Sequence, residues 1–233
     1  MTLYPVNLDI RSQLCLVVGG GLVAKRKVEG LLACGPRIVV VSPELCEGLT
    51  VYLQNRQIEW KQREYRTKDL EGVKLVFAAT DDHSTQQKIA EEAHQAEIPV
   101  NVITDPESCS FQVPAMFRQG ELLITIATSG ASPALAARIR KELEVRYGRE
   151  YGQLLVLMAA IRKQVVSASD DPAQHKRLFE KLLDSDTLAA IEKADWKRLQ
   201  ATLAAILPPD TEVSGLVNTI QTQENASMET LSC

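Results

Sequence analysis

Residues 14–32 read "LCLVVGGGLVAKRKVEGLL", and how this stretch is taken decides the fold. Five apolar residues run straight into three glycines, and a helical pattern follows from Leu22. A short apolar run bounded by a glycine turn marks a buried strand, and the turn then feeds a helix. Gly19, Gly21 and Ala24 make a G-x-G-x-x-A series. The first glycine permits the tight turn, the second lets backbone approach a pyrophosphate, and the small third residue lets helix pack on strand. Free N–H groups at the positive end of the helix would hold the phosphates. The alternative is a glycine-rich turn without a ligand. The strand before and the helix after are the context that separates the two, so the stretch reads as a dinucleotide site.

The pattern repeats outward. "RIVVVS" (37–42) is followed by the helical "ELCEGLTVYLQNR", and "KLVFAAT" (74–80) by "STQQKIAEEAHQAE"; then comes "IPVNVIT" (98–104). "IEWKQREY" (58–65) alternates and is a further strand candidate. Near-continuous apolar strands separated by helices require a parallel sheet covered on both faces. The expectation is an α/β domain, a Rossmann-like doubly wound parallel sheet, over residues 1–113. After a later strand, "ELLITIATS" (121–129), strand signals stop. Ser132 is an expected N-cap with Pro133 at the first helical position, and that helix ends at Gly148. Further helices are expected near 150–168, 172–183 and 186–206, as a small all-helical domain over 149–207. Pro208-Pro209 stops the last, and the polar residues 208–233 are expected to form a disordered tail without a role.

Composition narrows the class. Hydrophobic residues at 45% and charged residues at 24% suit a soluble globular protein. No apolar run approaches the roughly 20 residues of a membrane span. The start, "MTLYPVNLDIRSQ", lacks the layout of a signal peptide, so a cytoplasmic protein is expected. Cys15, Cys34, Cys46, Cys109 and Cys233 are scattered without a C-x-x-C pair, which argues against a disulfide framework or a zinc site. His83, His94 and His175 lie far apart and read as surface residues. The net charge of -4 equals that of the tail, from Asp210, Glu212, Glu224 and Glu229, and gives no sign of a nucleic-acid partner.

At the end of the second strand an acidic residue usually meets the ribose. Here Ser42 stands in that place and Glu44 follows two residues later; either could reach the ribose hydroxyls. No arginine sits there to receive a 2′-phosphate, which favours NAD over NADP. Lys25, Arg26 and Lys27 read as a solvated helix face. In "AATDDH" (78–83), Thr80 lies at the carboxyl end of a strand and is expected near the nicotinamide or its ribose. Asp81 and Asp82 face the ligand or cap the next helix.

Four segments taken together, "VVGGGLVAKRK", "AATDD", "VNVITDPESCSFQVPA" and "ITIATSGASPALAARIR", resemble the siroheme synthase amino-terminal family. These are precorrin-2 dehydrogenases, some also sirohydrochlorin ferrochelatases, and the likeness runs from about Leu3 to Leu207 in a stand-alone form. The resemblance implies an NAD-binding domain, a dimerisation region (114–148 here) and a helical domain in an intertwined homodimer. It implies NAD-dependent oxidation of precorrin-2 to sirohydrochlorin, with Fe2+ as a possible substrate rather than a bound cofactor. The family's NAD contacts fall on Leu22, Val23, Pro43 and Glu44. Its catalytic aspartate follows an asparagine, here Asn101, by three residues in some members and four in others. Those positions are Thr104 and Asp105, so Asp105 is the candidate. The family's serine-rich turn is here Ala127-Thr128-Ser129-Gly130, with Thr128 at the serine that some members phosphorylate. Asn101, Thr128, Ser129, Ser132 and Arg138 are the implied substrate contacts.

The residues can support that chemistry. A carboxylate such as Asp105 suits a general base, although Asp before Pro in "TDPES" is also ordinary turn chemistry. Arg118, Arg138, Arg140, Lys141, Arg146 and Arg149 could fork onto tetrapyrrole carboxylates, or pair along a helix with Glu142 and Glu144. Nothing resembles a built iron site. Two other readings stand beside the bifunctional enzyme: a dehydrogenase with a separate chelatase, and a regulatory NAD-binding module.

Overall fold

The computed structural model describes residues 3–168 and 171–231. The chain divides into two units, Met1–Val113 and Pro114–Cys233. The first runs β1 (Leu14–Val18), α1 (Leu22–Leu32), β2 (Arg37–Ser42), α2 (Glu47–Gln54), β3 (Glu59–Gln62), a 3-10 turn (Thr67–Leu70), β4 (Val73–Ala78), α3 (His83–Gln95) and β5 (Val100–Val102). The strands form one sheet in the order β3-β2-β1-β4-β5, every pairing parallel.

Side chains alternate across a strand, so a strand buried on both faces is apolar throughout. In β1, Cys15 and Val17 join Ala24, Val28 and Leu31 of α1 and Leu49 of α2 on one face. Leu16 and Val18 join Ile89, Ala90 and Ala93 of α3 on the other. Each buried aliphatic side chain contributes about 1.5–3 kcal/mol, so the two-sided core is what holds the helices on the sheet. The chain winds outward from β1 in both directions. β1 and β4 are therefore the neighbours between which the strand order reverses, and a crevice at their carboxyl ends is where open α/β sheets bind ligands.

The second unit contains the antiparallel pair β6 (Ala115–Gln119) and β7 (Leu122–Ile126), followed by α4 (Pro133–Arg146), α5 (Arg149–Ala168), α6 (Pro172–Asp184), α7 (Thr187–Glu192), α8 (Trp196–Ile206) and α9 (Val213–Leu231). β6 is absent from the sequence reading, because "AMFRQ" is too short and mixed to register alone. It forms by pairing with β7 across a turn where Gly120 takes φ +57°.

Several expectations need correcting. The helix expected over 186–206 is two helices, α7 and α8. Ala194 adopts φ +50° between them, and Asp195 restarts the helix by accepting the Arg198 amide at 3.1 Å. Within the tail, 213–231 is helical rather than disordered, and 232–233 lie outside the described residues. Val213, Leu216, Val217 and Ile220 recur at helical spacing, and the last three are buried in this unit's core. That stripe outweighs the polar residues between. Lys27 is no solvated lysine: it is half-buried, with Nζ over the Phe77 ring at 5.3 Å, and burial lowers its pKa. His175 is partly buried rather than on the surface, and its Nε2 has no hydrogen-bond partner among the described residues.

Candidate functional site

Gly19, Gly20 and Gly21 each answer to a different constraint. Gly19 has φ +125°, a conformation L side chains rarely adopt, and a Cβ there would overlap the Ala79 carbonyl. Its amide donates to Val41 O at 2.9 Å, while the Ala79 amide donates to Val18 O at 2.7 Å, which closes the turn onto β2 and β4. Gly20 is the glycine the sequence reading passed over. A Cβ on it would overlap the Glu44 carbonyl and lie 2.7 Å from Ser42 Oγ. Gly21 differs: it is exposed, at the N-terminus of α1, and a Cβ would meet nothing within 4 Å. No side chain caps this helix end. Free N–H groups over open space at a helix N-terminus fit a pyrophosphate.

Around the turn, Leu22 is 74% exposed and Val23 half-buried, so an apolar side chain stands uncovered beside the open helix end. Pro43 and Glu44 are exposed past β2. Ser42 is buried, and its hydroxyl donates to Glu44 O at 2.6 Å. Of the two ribose candidates, Glu44 has its carboxylate free for the role and Ser42 shapes the loop that carries it. Thr80 lies past β4. Asp82 is the N-cap of α3, accepting from the amides of Ser84 at 3.2 Å and Thr85 at 3.1 Å. Its hydrogen bonds to Thr85 and Ser84 hold its carboxyl below the usual range. The capping alternative therefore describes Asp82. The open Gly21, the close-packed Gly19 and Gly20, and the exposed Leu22 and Glu44 together match what an extended dinucleotide needs.

Asp105 follows β5 by three residues and is half-buried. Its Oδ2 accepts the Ser108 hydroxyl at 2.5 Å, and Oδ1 accepts the amides of Glu107 at 3.1 Å and Ser108 at 3.4 Å. These are turn bonds, and they also define the carboxylate's chemistry. The Ser108 hydroxyl above all holds the Asp105 pKa below its ordinary value, with the charge of His83 adding a little. An aspartate is ionised at neutral pH with or without these bonds, and the lowering makes this carboxylate a weaker proton acceptor than a free one.

The loop bearing Asp105 is tied back to β5. Asn101 is 8% exposed, and its amide nitrogen donates to Phe111 O at 3.2 Å and lies 3.6 Å from Cys109 Sγ. Cys109 Sγ accepts the Val102 amide at 3.1 Å and donates to the carbonyls of Val102 or Asp105 at 3.2 and 3.3 Å. Asn101 thus fastens the loop through its nitrogen. Across the site, buried Gln86 donates to the Thr80 carbonyl at 2.5 Å and accepts the Thr104 hydroxyl. No local signal distinguishes Gln86 in its polar helix or Gly20 in its turn; their roles come from partners distant in sequence.

The remaining site candidates lie in the second unit, at the β7–α4 connection. Thr128 Oγ1 donates to Ser132 O at 3.1 Å, and the Ala131 amide donates to Thr128 O at 2.9 Å. Ser129 and Gly130 take positive φ, 50° and 81°, in the same turn. Ser132 Oγ caps α4 by accepting the Leu135 amide at 3.2 Å. Arg138 is exposed and pairs with Glu142 at 3.0 Å, and Arg140 pairs with Glu144 at 2.7 Å. Among the described residues no three His, Cys, Asp or Glu side chains gather as a metal cage. No helix of the described residues is long and apolar enough to cross a membrane.

The fold and the glycine turn define a nicotinamide-dinucleotide-binding module followed by a mainly helical unit. Comparison with known proteins gives the family. Residues 6–115 match a putative NAD(P)-binding model, 119–146 the sirohaem biosynthesis protein central region, and 150–207 the sirohaem synthase dimerisation region. The chain belongs to the siroheme synthase family. It is 33% identical over 216 residues to the siroheme synthase of Nitrosospira multiformis, covering 91% of this chain and 46% of that protein. It is 36% identical over 184 residues to that of Thioalkalivibrio sulfidiphilus, covering 79% of this chain and 38% of the other. The chain thus spans less than half the length of these relatives. Among solved structures it resembles SirC, a precorrin-2 dehydrogenase, with TM-score 0.71 and 26% identity over 88% of this chain and 98% of that one.

Proposed function

We propose that this chain oxidises precorrin-2 to sirohydrochlorin, with NAD+ as the oxidant and Asp105 as the general base. The supporting observation is the Asp105 carboxylate, held by Ser108 on the loop after β5, at the end of a strand that pairs with β4, which leads to Thr80. A bound nicotinamide supplies the hydride acceptor. Gly19, Gly21, Leu22 and Val23 hold the dinucleotide, Pro43 and Glu44 meet its ribose beside Ser42, and Thr80 lies towards the nicotinamide. Glu44, with no arginine in the residues that directly follow β2 in sequence, favours NAD over NADP. Asp105 accepts a proton from the ring as the hydride leaves. Thr128, Ser129, Ser132 and Arg138 are proposed substrate contacts, with Asn101 acting on the substrate side through the loop it fastens.

A homodimer is part of the proposal. The match to the dimerisation region supports it, as do Leu135 and Val145 on α4, 49% and 87% exposed. Large apolar side chains standing in water on one helix are cheaper to keep when a second copy covers them. Fe2+ enters as a substrate held through the tetrapyrrole's own nitrogens, which makes chelation a second step of the same proposal. The test is anaerobic incubation with precorrin-2 and NAD+, following NADH and the sirohydrochlorin spectrum, then adding Fe2+. Oxidation requiring NAD+ is the expected result. Its absence overturns the assignment and favours a regulatory dinucleotide-binding module. Oxidation without metal insertion above the protein-free rate leaves a dehydrogenase that depends on a separate chelatase.

A further inference from the structure

We infer that Gln86 is a positioning residue that sets the Asp105 loop against the Thr80 loop through the two ends of its amide. The inference rests on the reading of Asp105 as the base. Gln86 lies in the first turn of α3, 1% exposed, where a side chain of that size would ordinarily be apolar. Its nitrogen donates to the Thr80 carbonyl at 2.5 Å and its oxygen accepts the Thr104 hydroxyl. Thr104 immediately precedes Asp105, and β4 and β5 are hydrogen-bonded neighbours, so the amide spans two adjacent strand ends. The α3 end that carries it is itself anchored by the Asp82 cap.

Packing alone does not require this arrangement. Thr104 is exposed, so water would satisfy its hydroxyl, and an apolar side chain of the same length would fill the space. A buried amide with both ends engaged does something a methionine would not. It fixes one separation between a carbonyl beside the cofactor edge and the residue before the base. Hydride and proton transfer demand that separation, because a misplacement of about 1 Å can cost on the order of 100-fold in rate. Cys109 and Asn101 hold the far side of the same loop, so the Asp105 turn is braced from both ends.

The test is a double-mutant cycle of Gln86→Met and Thr104→Val in the full chain, with melting temperature, NAD+ affinity by calorimetry, and kcat and KM for precorrin-2. Gln86→Met is expected to lower kcat about 10- to 100-fold. NAD+ affinity and KM should stay within about threefold. Thr104→Val should lower kcat in the same direction, and the double variant should equal Gln86→Met, because the bond that Thr104→Val removes is already lost with the Gln86 amide. Wild-type kcat in either single variant, multiplying effects, or NAD+ affinity lost in step with kcat would overturn the assignment. Amide hydrogen exchange supplies a readout that needs no turnover. Residues 80–82 and 104–108 should both exchange faster in Gln86→Met, and unchanged protection at 104–108 would refute the strut even if the wild-type chain proved inactive on precorrin-2.

Discussion

Replacing Gly20 and Gly21 by alanine, one at a time, separates what the glycine turn does for the fold from what it does for the cofactor. At Gly20 the added methyl would overlap the Glu44 carbonyl and stand 2.7 Å from Ser42 Oγ. The loop after β2 must shift to admit it. Two hydrogen bonds hold that loop: Ser42 Oγ to Glu44 O at 2.6 Å, and the Cys46 amide to Gly20 O at 2.8 Å. At about 1 kcal/mol each, their loss costs about 2 kcal/mol, which falls within the usual range for overpacking. A drop in Tm of about 5–10 °C follows for a unit of this size. At Gly21 the methyl meets no protein atom, and φ -85°, ψ -171° is open to alanine, so Tm should hardly move. The methyl would instead fill the space assigned to the pyrophosphate. Losing one charge-assisted hydrogen bond there costs about 1.5–3 kcal/mol, a Kd for NAD+ about 10- to 150-fold weaker. Thermal unfolding without cofactor and calorimetric titration with NAD+ read the two effects independently. Gly21→Ala binding as tightly as wild type would refute the placement of the phosphates, and Gly20→Ala melting as wild type would refute the steric account of the turn.

Three further outcomes are expected. Asp69 is 4% exposed; burial opposes its charge, but Arg63 at 2.6 Å, Lys61 at 2.8 Å and the Arg66 amide at 3.0 Å hold its carboxyl well below the usual range. Asp69→Ala should cost about 3 kcal/mol in urea unfolding at pH 7. Because the folded pKa is depressed, that contribution is present above the unfolded value near 4 and fades as the pH falls through the folded one. The difference between variant and wild type must therefore shrink in acid, and a constant difference contradicts the ion-pair account. Ser108→Ala removes the main donor to Asp105, so its pKa should rise and the acid limb of kcat/KM should move to higher pH, with an unmoved limb excluding Asp105 as the base. Ile220 is fully buried in α9, and Ile220→Ala should lower stability by about 3 kcal/mol; a change near zero would restore the picture of a tail without a role.

Much of the first unit was legible because its signals are local. β1, β2, β4 and α1 follow from unbroken apolar runs, a glycine turn and helical spacing, and the parallel sheet follows from burial on both faces. The Ser132 cap with Pro133 after it is equally local. The misreadings came where a local signal was masked by its surroundings. Val213, Leu216, Val217 and Ile220 made a helix from residues whose average composition is polar, and Ala194 broke a helix inside an otherwise helical run.

The site divides along the same line. Gly19 is required by its own backbone angle, whereas Gly21 has room for a Cβ and an ordinary backbone, so only its place at the start of α1 marks it; both were legible in the sequence as a glycine turn between strand and helix. Gly20 is required only because the Glu44 carbonyl approaches it, Lys27 leaves water only because Phe77 lies beneath it, and Gln86 matters only because β4 and β5 end side by side. Local conformational preference is carried by each residue and its near neighbours, and can be read in order. Close approach and buried hydrogen bonding depend on the register of strands far apart in the chain, and only the folded sheet decides them.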